Sequence, residues 1–95
     1  MTGIRWSGPA RLDMDKIDSY YADLAPEFAD RMLLEAIAAA HFLSEHPNAG
    51  PRIGLGTERK WRVRYTPYLL QYVFEDGDIQ ILRVRHERQD WQPRP

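Results

Sequence analysis

Apolar positions in this chain follow two periods, and the change between them divides it near residue 50. The opening "GIRWS" alternates at Ile4, Arg5 and Trp6 and then reaches Ser7, a side chain suited to cap a helix, with Pro9 placed for the first turn. Ala10, Met14, Ile17, Tyr21 and Leu24 then recur at steps of four, three, four and three, the stripe of an amphipathic helix. Pro26 opens a second helix whose stripe runs through Phe28, Met32, Ala36 or Ile37, Ala40 and Leu43 until "HPNAGP" ends it. The short "DLAPE" connection predicts an antiparallel hairpin, and Ala36, Ala38, Ala39 and Ala40 permit close approach to a neighbour.

Beyond the Gly- and Pro-rich residues 47–56 the period falls to two. "KWRVRY" sets Trp61, Val63 and Tyr65 against Lys60, Arg62 and Arg64, "YLLQYVF" follows, and Asp76-Gly77 suits a two-residue hairpin turn into "IQILRVRH". The expected fold is α+β with element order β-α-α-β-β-β: a helical hairpin on one face of a four-stranded, mainly antiparallel sheet, in one domain over residues 1–95.

Charge changes this picture more than composition does. The net charge of −1 conceals an excess of acids in residues 1–49, with four Arg or Lys against eight Asp or Glu, and of bases in residues 50–95, with nine against six. By strand alternation Arg62 and Arg64 share one face of their strand and Arg83 and Arg85 one face of theirs. If both pairs open on the same side of the sheet, four guanidinium groups crowd one surface, which is unfavourable unless acids or a polyanionic partner offset it. The competing reading is that single arginines pair with the acidic helices or lay their stems over apolar surface.

Other chemistries find little support. The chain has no cysteine, which excludes disulfides and thiolate nucleophiles. It contains no phosphate-binding glycine motif, "GLG" being only a loop; His41, His46 and His86 lack metal-ligand spacing; and Ser7, Ser19 and Ser44 sit in no nucleophile motif. Neither a metal nor a cofactor is expected. No apolar run approaches the ~18 residues of a membrane span, and the first residues do not have the pattern of a secretory signal, so the expected location is the cytoplasm, without membrane association. What remains is Arg, His and Glu or Asp, a set able to cleave RNA: one group takes the proton from a 2′-hydroxyl, arginines neutralise the phosphorane charge and a His protonates the leaving oxygen.

"IRWSGPARLDMDKIDSYYA" resembles the start of ParE toxins of the RelE/ParE superfamily, through Ile4, Trp6, Ser7, Ala10, Asp13, Ile17 and Tyr20, with Met14 in place of a leucine. "HPNAG" and "YLLQYVFEDGDIQILRVRHERQDW" continue the likeness through Tyr68, Tyr72, Ile79, Ile81, Leu82, Arg83, Val84, His86, Asp90 and Trp91, while Gln89 stands where an arginine often precedes the aspartate. The resemblance covers nearly the whole chain in the family's order. It implies a toxin of a type II toxin-antitoxin system, bound by a cognate antitoxin in a hetero-oligomer that reaches operator DNA only through the antitoxin.

Two activities occur in the superfamily: inhibition of DNA gyrase by ParE-like members and ribosome-dependent mRNA cleavage by RelE-like ones. The second branch typically carries a lysine and arginine cluster or a C-terminal tyrosine, whereas this chain has only Lys16 and Lys60 and places Trp91 near its end. The resemblance therefore favours gyrase inhibition without a chemical step, with RNA cleavage by Arg62, Arg83 and His86 as the alternative. Target contacts are expected at Arg62, Arg64, Arg83, Arg85, His86, Arg88 and Trp91, and antitoxin contacts at Leu33, Leu34, Arg62 and Arg83. Leu33 and Leu34 have a plainer reading too, since a wide apolar stripe on a buried helix would absorb them.

Overall fold

The computed structural model describes residues 2–88, so Gln89, Asp90 and Trp91 lie outside the described residues. Its elements are β1 (Gly3–Trp6), α1 (Gly8–Leu24), α2 (Pro26–Glu45), β2 (Arg59–Arg62), β3 (Tyr68–Glu75) and β4 (Asp78–His86), in the expected order. The sheet order is β1-β4-β3-β2, antiparallel except where β1 runs parallel to β4.

Ser7 makes the junction between strand and helix. Its hydroxyl accepts from the Ala10 N–H at 3.0 Å, capping α1, and donates to the Leu82 carbonyl at 2.8 Å, fastening the helix start to β4. At the other end of α1 the helices are separated by Ala25 alone, whose N–H bonds Tyr21 O at 2.8 Å before Pro26 starts α2.

One face of α2 closes on the sheet through Ala29, Met32, Ala36, Ala39, Ala40 and Leu43. The alanines let the helix axis sit close to the strands, and the larger volumes come from Met32, Leu43, Leu70, Tyr72, Ile79 and Ile81, all fully buried. At the ambiguous step Ala36 points inward, whereas Ile37 remains 43 % exposed. Leu24, expected in the α1 stripe, stands exposed at the helix's last position, where the chain already turns at Ala25.

Two turns fix the strand registers. Asp76 and Gly77 have φ of 55° and 80°, the left-handed pair that a two-residue hairpin turn between right-twisted strands requires. Tyr72 anchors the loop before β2: its buried hydroxyl donates to Pro47 O at 2.9 Å and accepts from the Gly50 N–H at 3.0 Å. Gly50 must be glycine, because a Cβ there would drive into the Lys60 carbonyl oxygen and the Tyr72 ring.

β2 is shorter than its alternation predicts. The strand ends at Arg62, and Tyr65 takes a left-handed φ of 62° in a turn closed by Thr66 N–H to Val63 O. Val63 still reaches the core, but Arg64 lies in the turn and shares no strand face with Arg62. A bulge at Gln71/Tyr72 shifts the β3–β4 register, which lets Ile81 and Val84, three residues apart, both point into the core.

Candidate interaction surface

The helices cover one face of the sheet, and the cationic side chains arise mostly from the other. Register sets Arg62 opposite Leu69 and Leu69 opposite Arg85, while Lys60 and Arg83 flank Gln71 in the same way. The open face thus carries Lys60, Arg62, Arg83 and Arg85 at the backbone level. The four-guanidinium cluster expected from alternation does not form, because Arg64 has left the strand and Arg83 turns around the sheet edge.

β1 ends opposite Ile81, so the second half of β4 has a strand on its β3 side only, and α1 occupies the opposite edge. There Arg83 donates to both Asp13 oxygens, Nε to Oδ2 at 2.7 Å and Nη2 to Oδ1 at 3.0 Å, while the Val84 N–H donates to Oδ2 at 2.9 Å. Asp13 thereby satisfies an orphaned strand N–H as well as a guanidinium. Burial pushes its carboxyl up, but the Arg83 and Val84 hydrogen bonds and the charges of Arg83 and Arg85 outweigh this and hold its pKa below the ordinary value. Sequence reading placed Asp13 in a motif without a role; its partner, 70 residues away, was the missing information.

The other arginines are also held. Arg62 Nη1 donates to Thr66 O at 3.2 Å and to Glu87 Oε2 at 2.7 Å, and this second hydrogen bond is the main reason that the Glu87 pKa lies below its ordinary value. Arg85 Nε donates to Gln71 Oε1, whose amide donates on to Glu58 Oε1, each at 3.0 Å, so a β3 glutamine relays a β4 cation to an acid ahead of β2.

His86 meets Tyr68 edge-on with ring centroids 5.3 Å apart, and its Nδ1 accepts the Arg88 N–H at 3.1 Å. With Asp13, Lys16, Ile17, Tyr68 and Val84 it lines a cavity of about 290 Å³. Tyr68 is pushed well above the ordinary tyrosine pKa by burial and then by Tyr21, whose hydroxyl lies 3.5 Å from its own. Arg62 stands on β2, with β3 between it and the Arg83–His86 segment of β4, so the three residues of the RNA-cleaving set do not share one strand pair.

A larger cavity of about 470 Å³ opens where α2 meets β2, lined by Glu35, Ala38, Ala39, Phe42, Trp61, Arg62 and Arg64. Phe42 and Trp61 stack in its wall, with centroids 5.1 Å and planes 15° apart. Elsewhere on α2, Leu33 and Leu34 are 50 % and 67 % exposed, so the helix stripe does not absorb them. Arg88 is exposed, and the contact expected at Trp91 falls outside the described residues.

Comparisons with known proteins agree with this architecture. Residues 4–91 match the family described as ParE toxin of type II toxin-antitoxin system, parDE. The chain is 35 % identical over 86 residues to "Toxin RelE2" of Caulobacter vibrioides, covering 90 % of this chain and 96 % of that one. It is 30 % identical over 88 residues to "Putative toxin Y4kP" of Sinorhizobium fredii, covering 93 % and 91 %. Among solved structures it superposes on the chromosomal ParDE toxin-antitoxin system of P. aeruginosa with TM-score 0.78 at 24 % identity, a likeness of fold. It superposes on the toxin-antitoxin complex RelBE2 of Mycobacterium tuberculosis with TM-score 0.57 at 28 % identity; each match covers 90 % of this chain and 96 % of the other. A helical hairpin on a four-stranded mixed sheet, matched over residues 4–91, makes this chain a member of the ParE toxin family, within the wider ParE/RelE group of type II toxin-antitoxin toxins.

Proposed function

We propose that this toxin arrests growth by binding DNA gyrase through its open cationic face, without a chemical step or cofactor of its own, and that a cognate antitoxin neutralises it. The observation that carries this reading is the condition of the arginines. Arg83 pairs through Nε and Nη2 with Asp13 and Arg62 through Nη1 with Glu87, so a carboxylate beside each guanidinium offsets the positive charge that a phosphorane would call on. Such residues suit a preorganised docking surface, Arg62 and Arg85 on the open face being joined by Arg64 at the β2–β3 tip and by His86 and Arg88 at the end of β4. The relatives carry both ParE-type and RelE-type names, so the argument for gyrase rests on this geometry.

For the antitoxin, exposed Leu33 and Leu34 on α2 supply an apolar landing strip, and Arg62 offers a cation to an acidic segment. Arg83, also expected to meet the antitoxin, holds α1 to β4 while its side chain stays 39 % exposed at that edge.

A supercoiling assay with purified gyrase, ATP and relaxed plasmid tests the reading. The expected result is lost supercoiling together with trapped linear DNA, and undisturbed supercoiling by folded toxin would reject it. One feature favours ribosome-dependent mRNA cleavage as the second reading: His86, Lys16 and Tyr68 surround one cavity beside the Asp13–Arg83 pair. Under that reading, mRNA cut in translating ribosomes by the wild type and spared by His86→Ala is the expected result.

A further inference from the structure

The hairpin tip between β2 and β3 combines rigidity with strain. Val63 N–H bonds Tyr68 O at 2.9 Å, the Thr66 hydroxyl donates to Val63 O at 2.8 Å and accepts from Tyr68 N–H at 3.1 Å, and Glu87 N–H bonds Pro67 O at 2.7 Å. Within this frame Tyr65 holds a φ of 62°, a conformation costly for a bulky side chain, yet it is 66 % exposed. Folding gains little from a ring placed there. Arg64 lies against it, its guanidinium carbon 4.8 Å from the ring centroid and its Nη2 donating to the Tyr65 hydroxyl at 2.7 Å. Among the described residues no carboxylate pairs with Arg64.

This tip borders the larger cavity, whose lining includes Arg64 beside the Phe42–Trp61 stack. A guanidinium and an aromatic ring, prealigned next to an apolar recess, are the elements of a protein-binding hot spot. A nucleic-acid backbone fits less well, since Glu35 places a carboxylate in the same recess and Glu87 another beside Arg62.

We propose that Arg64 and Tyr65 form the contact by which the toxin grips a protein target, one that offers a carboxylate to Arg64 and an apolar side chain to the recess beside the Phe42–Trp61 stack. The proposal rests on the toxin reading and deepens it by assigning the decisive contact to two residues. Neutralisation follows from the layout. Leu34 and Ala38 lie one helical turn apart on α2, so an antitoxin seated on Leu33 and Leu34 borders the recess that the target would use.

Growth arrest on induced expression tests the tip without presupposing the target. Tyr65→Gly removes the ring and relaxes the backbone, so the variant is expected to melt at or above the wild-type temperature while losing arrest by at least tenfold in plating efficiency. Tyr65→Asn, which also tolerates this conformation, guards against a folding defect in the glycine variant, and Arg64→Gln should weaken arrest in parallel. Undiminished arrest by the folded Tyr65 variants would overturn the proposal, as would an inert wild type. A photo-crosslinking phenylalanine analogue at position 65 should attach to polypeptide, and attachment to nucleic acid would overturn the assignment to a protein. A wild type that arrests growth yet leaves gyrase supercoiling intact would reject only the gyrase reading, with the tip still judged by its variants.

Discussion

Arg83 on β4 and Asp13 on α1 meet in a two-point ion pair that the Val84 N–H completes, closing the half of the β4 edge that β1 leaves uncovered. The Asp13 side chain is 13 % exposed and that of Arg83 39 %, so solvent screens the cation more than its partner. The contact is a structural fastener on the very residue that strand alternation nominates for target binding.

Replacing Asp13 by Asn should cost about 1–2 kcal/mol, much of it from an Arg83 and a Val84 N–H left with weaker acceptors. Because the folded-state pKa lies below the ordinary 3.8, the folded protein keeps this carboxylate ionised where the unfolded chain already takes up protons. Its contribution is complete above the unfolded value and is lost as pH falls through the folded one. Urea unfolding from pH 7 down to pH 3 should therefore show a steeper stability loss for the wild type than for Asp13→Asn. Parallel curves would mean that the pair contributes nothing.

The fastener also changes which charge reversals are informative. Arg83→Glu would set two carboxylates against each other at the α1–β4 edge and unfold the protein locally, so lost toxicity in that variant says little about targets. Arg62→Gln combined with Arg85→Gln keeps the edge intact and should cost under about 1 kcal/mol, both side chains being partly exposed. Growth arrest should fall at least tenfold with an unchanged melting curve. Full toxicity would remove the open face from the target surface.

Tyr72 offers a separate test of the loop over residues 47–50. Tyr72→Phe deletes both the bond to Pro47 O and the acceptor for Gly50 N–H, and about 1–2 kcal/mol should be lost in chemical denaturation, with faster amide exchange at Gly50. Gly50→Ala should be worse, since its Cβ meets first the backbone of Lys60, which cannot swing aside, and then the buried Tyr72 ring. An alanine variant as stable as the wild type would show that the loop can shift.

Leu33→Asp with Leu34→Asp should leave the isolated toxin within about 0.5 kcal/mol of the wild type, because both side chains are half or more exposed. Affinity for the cognate antitoxin, read by calorimetry, should drop at least tenfold. Unaltered affinity would relocate the antitoxin to another face.

Local signals accounted for the element order. Ser7 with Pro9, Pro26, and Asp76-Gly77 each specify backbone geometry through their own side chains, so the helix starts and the β3–β4 turn were legible without tertiary information. The period change near residue 50 separated the helices from the sheet for the same reason, since amphipathic spacing reflects a single buried face.

Local patterning therefore carries the fold class, the order of the elements and the residues able to supply charge. Where that charge goes depends on the packing of remote segments. Alternation assigns an arginine to a face but not to a partner, and a long flexible side chain at a sheet edge can leave its face for an acid brought close by the fold. Arg83 does so at Asp13, Arg62 finds Glu87 beyond β4, and Tyr65 ends β2 early, taking Arg64 to the rim of the α2–β2 cavity. Each outcome depends on distances between segments remote in sequence, which no local pattern encodes.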